Sequence, residues 1–159
     1  MNLSEIVEFQ DDAFIDERGS YWTSWKEDRL KNIKFNHDKF SLSKKNVLRG
    51  FHGDKRSWKL VSCVYGEVFL VLVNVIEGHK DYYKSKSWNL SSSNRVQVLI
   101  PPFYASAHLC ISNECLFHYK FSYTGDYPDV NEQFSIKWND KKINVKWPIA
   151  DPILSKRDK

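Results

Sequence analysis

The sequence is poor in the residues that keep a chain loose. It has six glycines and five prolines in 159 residues, which excludes collagen-like, linker-rich and disordered classes. It also lacks any run of 18 apolar residues, and its start, Met1-Asn2-Leu3-Ser4-Glu5, has neither a basic cluster nor an apolar signal core. The expectation is a soluble, cytoplasmic protein with no membrane partner. Cysteine is scarce: Cys63, Cys110 and Cys115 are an odd number without CxxC spacing. That pattern fits free thiols in a reducing compartment and weighs against a disulfide framework or a zinc site. Excess charge is small as well, with 24 Lys and Arg against 20 Asp and Glu, too little to mark a nucleic-acid binder. Much of the excess sits in Lys141-Lys142, Lys146 and Lys156-Arg157-Asp158-Lys159, and a cationic pocket for a small polyanion stays open.

What the chain has is aromatic residues: 6 Trp, 8 Tyr and 10 Phe, suited to pleated strands or a lined cavity. Its length is that of one domain, 1–159, and a chain of this size hides roughly 70% of its unfolded surface. The one helical signal is Ser24 to about Lys31, where Ser24-Trp25-Lys26-Glu27 has capping-box spacing ahead of Leu30. The remainder breaks into strand-length runs with frequent turn signals: 35–42, 46–52, 58–65, 67–75, 84–89, 95–100, 106–111 and 114–123. This spacing predicts an all-β antiparallel sandwich or barrel with a short peripheral helix. Alternation along the last run sets Cys115, Phe117, Tyr119, Phe121 and Tyr123 on one face and Leu116, His118 and Lys120 on the other. After Trp138 the strand signals thin to 143–147, so the tail is expected to lie across the body of the domain.

Polar groups that interrupt apolar strands are the leads for chemistry, because an unpaired buried charge is costly. Arg49 and His52 in Leu48-Arg49-Gly50-Phe51-His52, Lys59 ahead of Leu60-Val61, His108 after Ala107, and Tyr119 in mid-strand stand out. Each has a plain reading beside the chemical one. The histidines suit satisfied core or rim positions, Lys59 a solvated strand end, and Tyr119 the core. Metal binding has little support, since His37, His52, His79, His108 and His118 are scattered and form no His-x-His pair.

The chain resembles the nucleotide-sugar 3,5-epimerase family through motifs that run in order over nearly its whole length. They are Phe14-Ile15-Asp16-Glu17-Arg18-Gly19, Ser43 through His52, Lys59-Leu60-Val61 with Gly66-Glu67-Val68, Ile100-Pro101-Pro102 with Ala107-His108, Tyr119-Lys120, Trp138-Asn139-Asp140, Trp147-Pro148, and Leu154 through Asp158. Within the family it is most similar to the branch acting on GDP-6-deoxy-4-keto-heptoses for bacterial capsules. That likeness rests on His37-Asp38-Lys39-Phe40, His52-Gly53-Asp54, Cys63-Val64-Tyr65-Gly66-Glu67 and Gly125-Asp126-Tyr127.

The resemblance implies a cupin-like jelly-roll barrel that works as a homodimer on a nucleotide-diphosphate sugar, with no metal or organic cofactor. A ketone at C4 acidifies the hydrogens on C3 and C5, so inversion needs a base on one face, a stabiliser for the enolate oxygen and a proton donor on the other face. By motif match these are His52, Lys59 and Tyr119, with Asp158 orienting His52. Arg18 and Arg49 match diphosphate contacts, and His108, Lys39 and Tyr123 fall on the substrate-binding side, with Trp22 as a further candidate wall. Two departures point away from thymidine: Gly53-Asp54 where the rhamnose enzymes follow the base with an aromatic and Gln, and Asn74-Val75-Ile76 in place of their Asp-x-Arg. The expected activity is inversion of C3, with C5, on a GDP-linked 4-keto-6-deoxy-heptose. A ketoisomerase that moves the ketone from C4 to C3, and a sugar-binding barrel without catalysis, are the rivals.

Overall fold

The structure, a computed structural model, describes residues 2–126 and 130–159; Tyr127 of the Gly125-Asp126-Tyr127 motif lies outside the described residues. Twelve strands are formed: β1 (Glu8–Gln10), β2 (Phe14–Asp16), β3 (Gly19–Tyr21), β4 (His37–Lys44), β5 (Leu48–Gly53), β6 (Trp58–Tyr65), β7 (Glu67–Asn74), β8 (Ser85–Ser91), β9 (Val96–Ile100), β10 (Tyr104–Cys110), β11 (Glu114–Ser122) and β12 (Phe134–Ser135). They build two five-stranded antiparallel sheets, ordered β1-β9-β6-β11-β4 and β12-β5-β10-β7-β8, with β2-β3 as a separate hairpin. Neighbours in each sheet are mostly non-consecutive in the chain, the connectivity of a jelly roll. All eight long runs expected from the sequence are strands, with ends moved by up to two residues.

The helix expected at Ser24–Lys31 is not there. Only a 3-10 turn forms, at Glu27–Leu30, and its leading residue, Lys26, makes no side-chain cap bond. Trp25 leaves the segment to pack edge-on against Phe35, with ring centroids 4.9 Å apart, Leu30 is the one apolar residue of the turn itself, and Arg29 reaches away to Asp11, to Gln97 and to the Ser24 carbonyl. A helix without an apolar stripe has nothing to pack. The segment 143–147 likewise forms no strand. Ile143 is buried, and the backbone N–H groups of Ile143 and Asn144 donate to the Asp140 side chain and carbonyl at 3.4 and 2.9 Å, so a local turn uses the polar groups a strand would have paired.

Two layers of core follow from the sequence of β7, whose Val68 and Leu70 to Val73 are buried on both faces. Leu70 and Leu72 face the space between the sheets with Val61, Val98, Ile100, Tyr104 and Phe117. Val71 and Val73 face outward with Leu48, Phe51, Ala105 and Leu109, and that face is covered by Ile143, Val145, Trp147, Ile149 and Leu154 of the tail. Burying such side chains contributes about 1.5–3 kcal/mol each before entropy is set against it. The tail is also pinned by backbone bonds, Leu48 N–H to the Ile153 carbonyl at 3.0 Å and Ile153 N–H to the Asn46 carbonyl at 2.8 Å. This docking carries the last residues of the chain to the end of β5.

Cys63, Cys110 and Cys115 are free and buried. Among the described residues no helix is long and apolar enough to cross a membrane.

Candidate active site

Both sheets contribute to a cavity of about 240 Å³ between them, lined by Lys39 and Phe40 of β4, Arg49, Gly50 and His52 of β5, Lys59 of β6, Ser106 of β10, Tyr119 and Phe121 of β11, and Gln133 beside β12. Strand alternation explains the convergence. Tyr119 lies opposite Lys39 on one side and Val61 on the other, while Phe121 lies opposite Lys59. Lys59 is only 7% exposed, so it is no solvated strand end. Lys39 and Lys59 both stand over the Phe121 ring, at 5.4 and 5.8 Å, and Lys59 Nζ is 3.6 Å from Asp54 Oδ2. Burial, opposed by Asp54, holds the Lys59 ammonium below its ordinary range, and burial does the same to Lys39.

His52 is bracketed on both ring nitrogens. Nε2 lies 2.7 Å from Asp158 Oδ1, and the other carboxylate oxygen accepts the Ser155 hydroxyl at 2.8 Å. Nδ1 is 3.0 Å from Ser135 Oγ, which β12 brings opposite His52 by register. Arg157 donates to Ser135 Oγ and to Gln133 Oε1, each at 3.1 Å. The Asp158 carboxylate, an acceptor only, faces Nε2 and so favours the ring proton there, with Nδ1 turned to the Ser135 hydroxyl. Burial lowers the His52 pKa from its ordinary range, the Asp158 charge opposes that, and Arg157 and Lys59 add to it. The ring is therefore neutral near pH 7.

His108 is a different case. It is 2% exposed, stacked on Phe117 with centroids 4.2 Å apart, and its Nδ1 lies 3.3 Å from the Tyr119 hydroxyl. Burial, with the Arg49 charge added, pushes its pKa down to about 3, so it stays neutral beside the Tyr119 hydroxyl. Arg49 is anchored by Ser43 Oγ at 3.0 Å and the Leu42 carbonyl at 3.3 Å.

Not every expected residue joins them. Arg18 sits on the β2-β3 hairpin, 81% exposed and paired with Asp16 at 2.6 Å, outside the cavity of its own chain. Tyr123 is buried against His37, with ring centroids 4.7 Å apart, and Trp22 lines a second cavity of about 260 Å³ on the outer side of the first sheet with Asp11, Gln97 and His118. His118 faces outward, as alternation predicts, paired with Asp38 at 2.6 Å. Sequence reading missed Ser135, Gln133 and Ser106, which carry no motif of their own, and met Asp54 only within motif comparisons, with no role assigned to it. Among the described residues no group of three or more His, Cys, Asp or Glu side chains is placed to hold a metal.

The architecture is a cupin-like jelly roll whose cation-lined cavity gathers His52, Tyr119 and the buried Lys59. The chain belongs to the family described as dTDP-4-dehydrorhamnose 3,5-epimerase, which matches residues 1–159. It is 34% identical to the dTDP-4-dehydrorhamnose 3,5-epimerase of Shigella flexneri over 98% of this chain and 89% of that one. Among solved structures it is similar to the dTDP-6-deoxy-D-glucose-3,5-epimerase of Legionella pneumophila Philadelphia 1 in complex with dTDP-4-keto-L-rhamnose. That likeness has a TM-score of 0.90, 31% identity, and covers 99% of this chain and 87% of that one. It is also similar to the dTDP-4-dehydrorhamnose 3,5-epimerase of Bacillus anthracis with TDP and PPi bound, with a TM-score of 0.91, 25% identity, and 99% and 93% covered.

Proposed function

We propose that residues 1–159 act as one epimerase domain that inverts C3, and with it C5, of a nucleotide-linked 4-keto-6-deoxy sugar without a cofactor. One observation carries this: a single cavity is lined by His52, Lys59 and Tyr119, with the Asp158 carboxylate 2.7 Å from His52. In this reading His52 takes the proton from the carbon beside the ketone. The basic lone pair is on Nδ1, so the Ser135 hydroxyl turns away as the sugar C–H takes its place, and Asp158 stabilises the imidazolium that forms. Lys59 offers its ammonium to the oxygen where the enolate charge develops. Tyr119, a phenol with an unperturbed pKa of about 10, enters protonated and returns a proton to the opposite face.

The cavity's three cations, Lys39, Arg49 and Lys59, suit an anionic ligand. Its volume of about 240 Å³ is below the roughly 300–1,000 Å³ of sites that enclose a larger molecule, so it accepts the sugar while the nucleotide extends outside. That supports a homodimer. The lone chain leaves Phe14, Ile15 and Tyr21 65%, 69% and 75% exposed on the hairpin that carries Arg18, a patch that asks for cover. A diphosphate contact by Arg18 requires that hairpin to reach the cavity of a second copy.

For the particular substrate, the relative and the two solved structures named above are, by name, epimerases of dTDP-linked sugars. A GDP-linked heptose bound for capsular polysaccharide is supported by the sequence motifs alone, His52-Gly53-Asp54 foremost. A Cβ at Gly53 would meet the Tyr104 backbone carbonyl and lie 2.4 Å from the Phe134 ring, so the packing here leaves no room for an aromatic at position 53. We place the reaction in the cytoplasm, in keeping with three unpaired thiols.

Incubation of GDP- and dTDP-linked 4-keto-6-deoxy hexoses and heptoses in D2O, read by mass spectrometry and NMR, tests the reading. Deuterium at C3 and C5 with inversion is the expected result. Label at C4 with the ketone at C3 would make the protein a ketoisomerase, and binding without any label would make it a sugar-binding barrel.

A further inference from the structure

We infer that Asp54 is a positioning residue of this site: a buried counter-ion, delivered by the loop between β5 and β6, that aims the Lys59 ammonium into the cavity. The inference rests on the epimerase reading of Lys59 and extends it to a residue that touches no substrate. Asp54 is 3% exposed. Its two oxygens have separate tasks. Oδ1 accepts the backbone N–H groups of Arg56 at 2.8 Å and Ser57 at 2.6 Å, which locks the loop, while Oδ2 faces Lys59 Nζ at 3.6 Å. The loop is tied down from the far side as well, since Phe103 N–H donates to the Asp54 carbonyl at 2.9 Å. The carboxylate is thus held by backbone and has little freedom to move away from Lys59.

The surroundings make such a counter-ion consequential. The other groups around the cavity that carry or exchange charge are Lys39 on β4, Arg49 and His52 on β5, and Tyr119 on β11, with Asp158 reached through His52 and Arg157 beside it. Lys39 and Arg49 repel a second ammonium, and among the described residues Asp54 is the one carboxylate in ion-pair contact with Lys59. Without it, a desolvated lysine among cations gives up its proton more readily. A neutral amine would stabilise a developing enolate far less than an ammonium does. A glutamine at this position would keep a hydrogen bond and lose the charge.

The test compares Asp54→Asn with the wild type, since asparagine keeps the Oδ1 acceptor for Arg56 and Ser57; Asp54→Ser, which also leaves an acceptor oxygen, stands in if the first variant does not fold. Two readouts are followed against pH: the rate of solvent-deuterium incorporation into the keto-sugar, and the Lys59 side-chain NMR titration in the protein alone, assigned with Lys59→Met. The expected result is an alkaline limb displaced to lower pH by about one unit or more, with the Lys59 titration moving by the same amount and rates at the acid end retained. A Lys59 titration that stays in place in both variants overturns the inference, as does an alkaline limb that stays in place while exchange proceeds. Failure of the epimerase reading looks different, because the wild type then incorporates no deuterium while the Lys59 titration still reports on the ion pair.

Discussion

Two histidine–carboxylate pairs of nearly equal length stand on different sides of the barrel wall: His52–Asp158 at 2.7 Å within, and His118–Asp38 at 2.6 Å without. Distance does not separate them; their company does. The Asp158 side chain is 5% exposed and Asp38 is 47% exposed. Asp38 is shared with Lys120 at 2.8 Å and its histidine stacks on Phe40, so solvent and a second cation dilute the pair. Asp158 is taken up by Ser155 and His52 alone among the described residues, and His52 opens on the same cavity as Tyr119 and Lys59. The proposed base needs a dry partner and an open cavity in front of it, and of these two pairs only the inner one has both.

The comparison breaks most sharply at the histidines. His52→Asn is expected to lower deuterium incorporation by about 10²–10⁴-fold, whereas His118→Asn keeps rates close to wild type; equal losses would place the chemistry elsewhere. Next in size is Tyr119→Phe, which removes the proposed proton donor and leaves His52 in place. Inversion should fall by about 10²-fold while label still enters the substrate by return to the face it left, a split read by comparing NMR of recovered sugar with its mass. Asp158→Asn is expected to be milder. Its charge raises the His52 pKa against burial, so removing it moves the acid limb of the rate profile to lower pH and costs roughly tenfold for each unit lost by the base. Asp38→Asn leaves that limb where it is. The smallest effect is on stability: Asp38→Asn should change the unfolding free energy by less than about 1 kcal/mol and by still less in high salt, as measured by denaturant melts, because the outer cluster is half in water.

The same contrast marks how far the sequence alone could be read. Alternation in β11 sufficed to send Tyr119 inward and His118 outward, because the strand period is two and the apolar set of Cys115, Phe117 and Phe121 leaves a single orientation. The run 67–75 was likewise legible as a strand, but that it is covered on both faces came from the docked tail. The helix at Ser24 failed for the complementary reason: a capping pattern is local, and without an apolar stripe no neighbour stabilises what it starts. Ser135 left no trace at all, since its role depends on β12 pairing with β5 and on Arg157 arriving from the tail, 22 residues further along the chain.

What the sequence by itself determined is the strand set, the inward row of β11 and, through ordered motifs, the family and the candidates His52, Lys59, Tyr119 and Asp158. Only the tertiary structure decided which of these meet. It brought the penultimate residue to His52, put Asp54 beside Lys59, made Lys59 a buried cation, and left Arg18 outside on its hairpin. The reason is that each such contact joins segments far apart in the chain across two sheets and a docked tail, and burial and the effective dielectric are properties of the packed whole, with no counterpart in any local pattern.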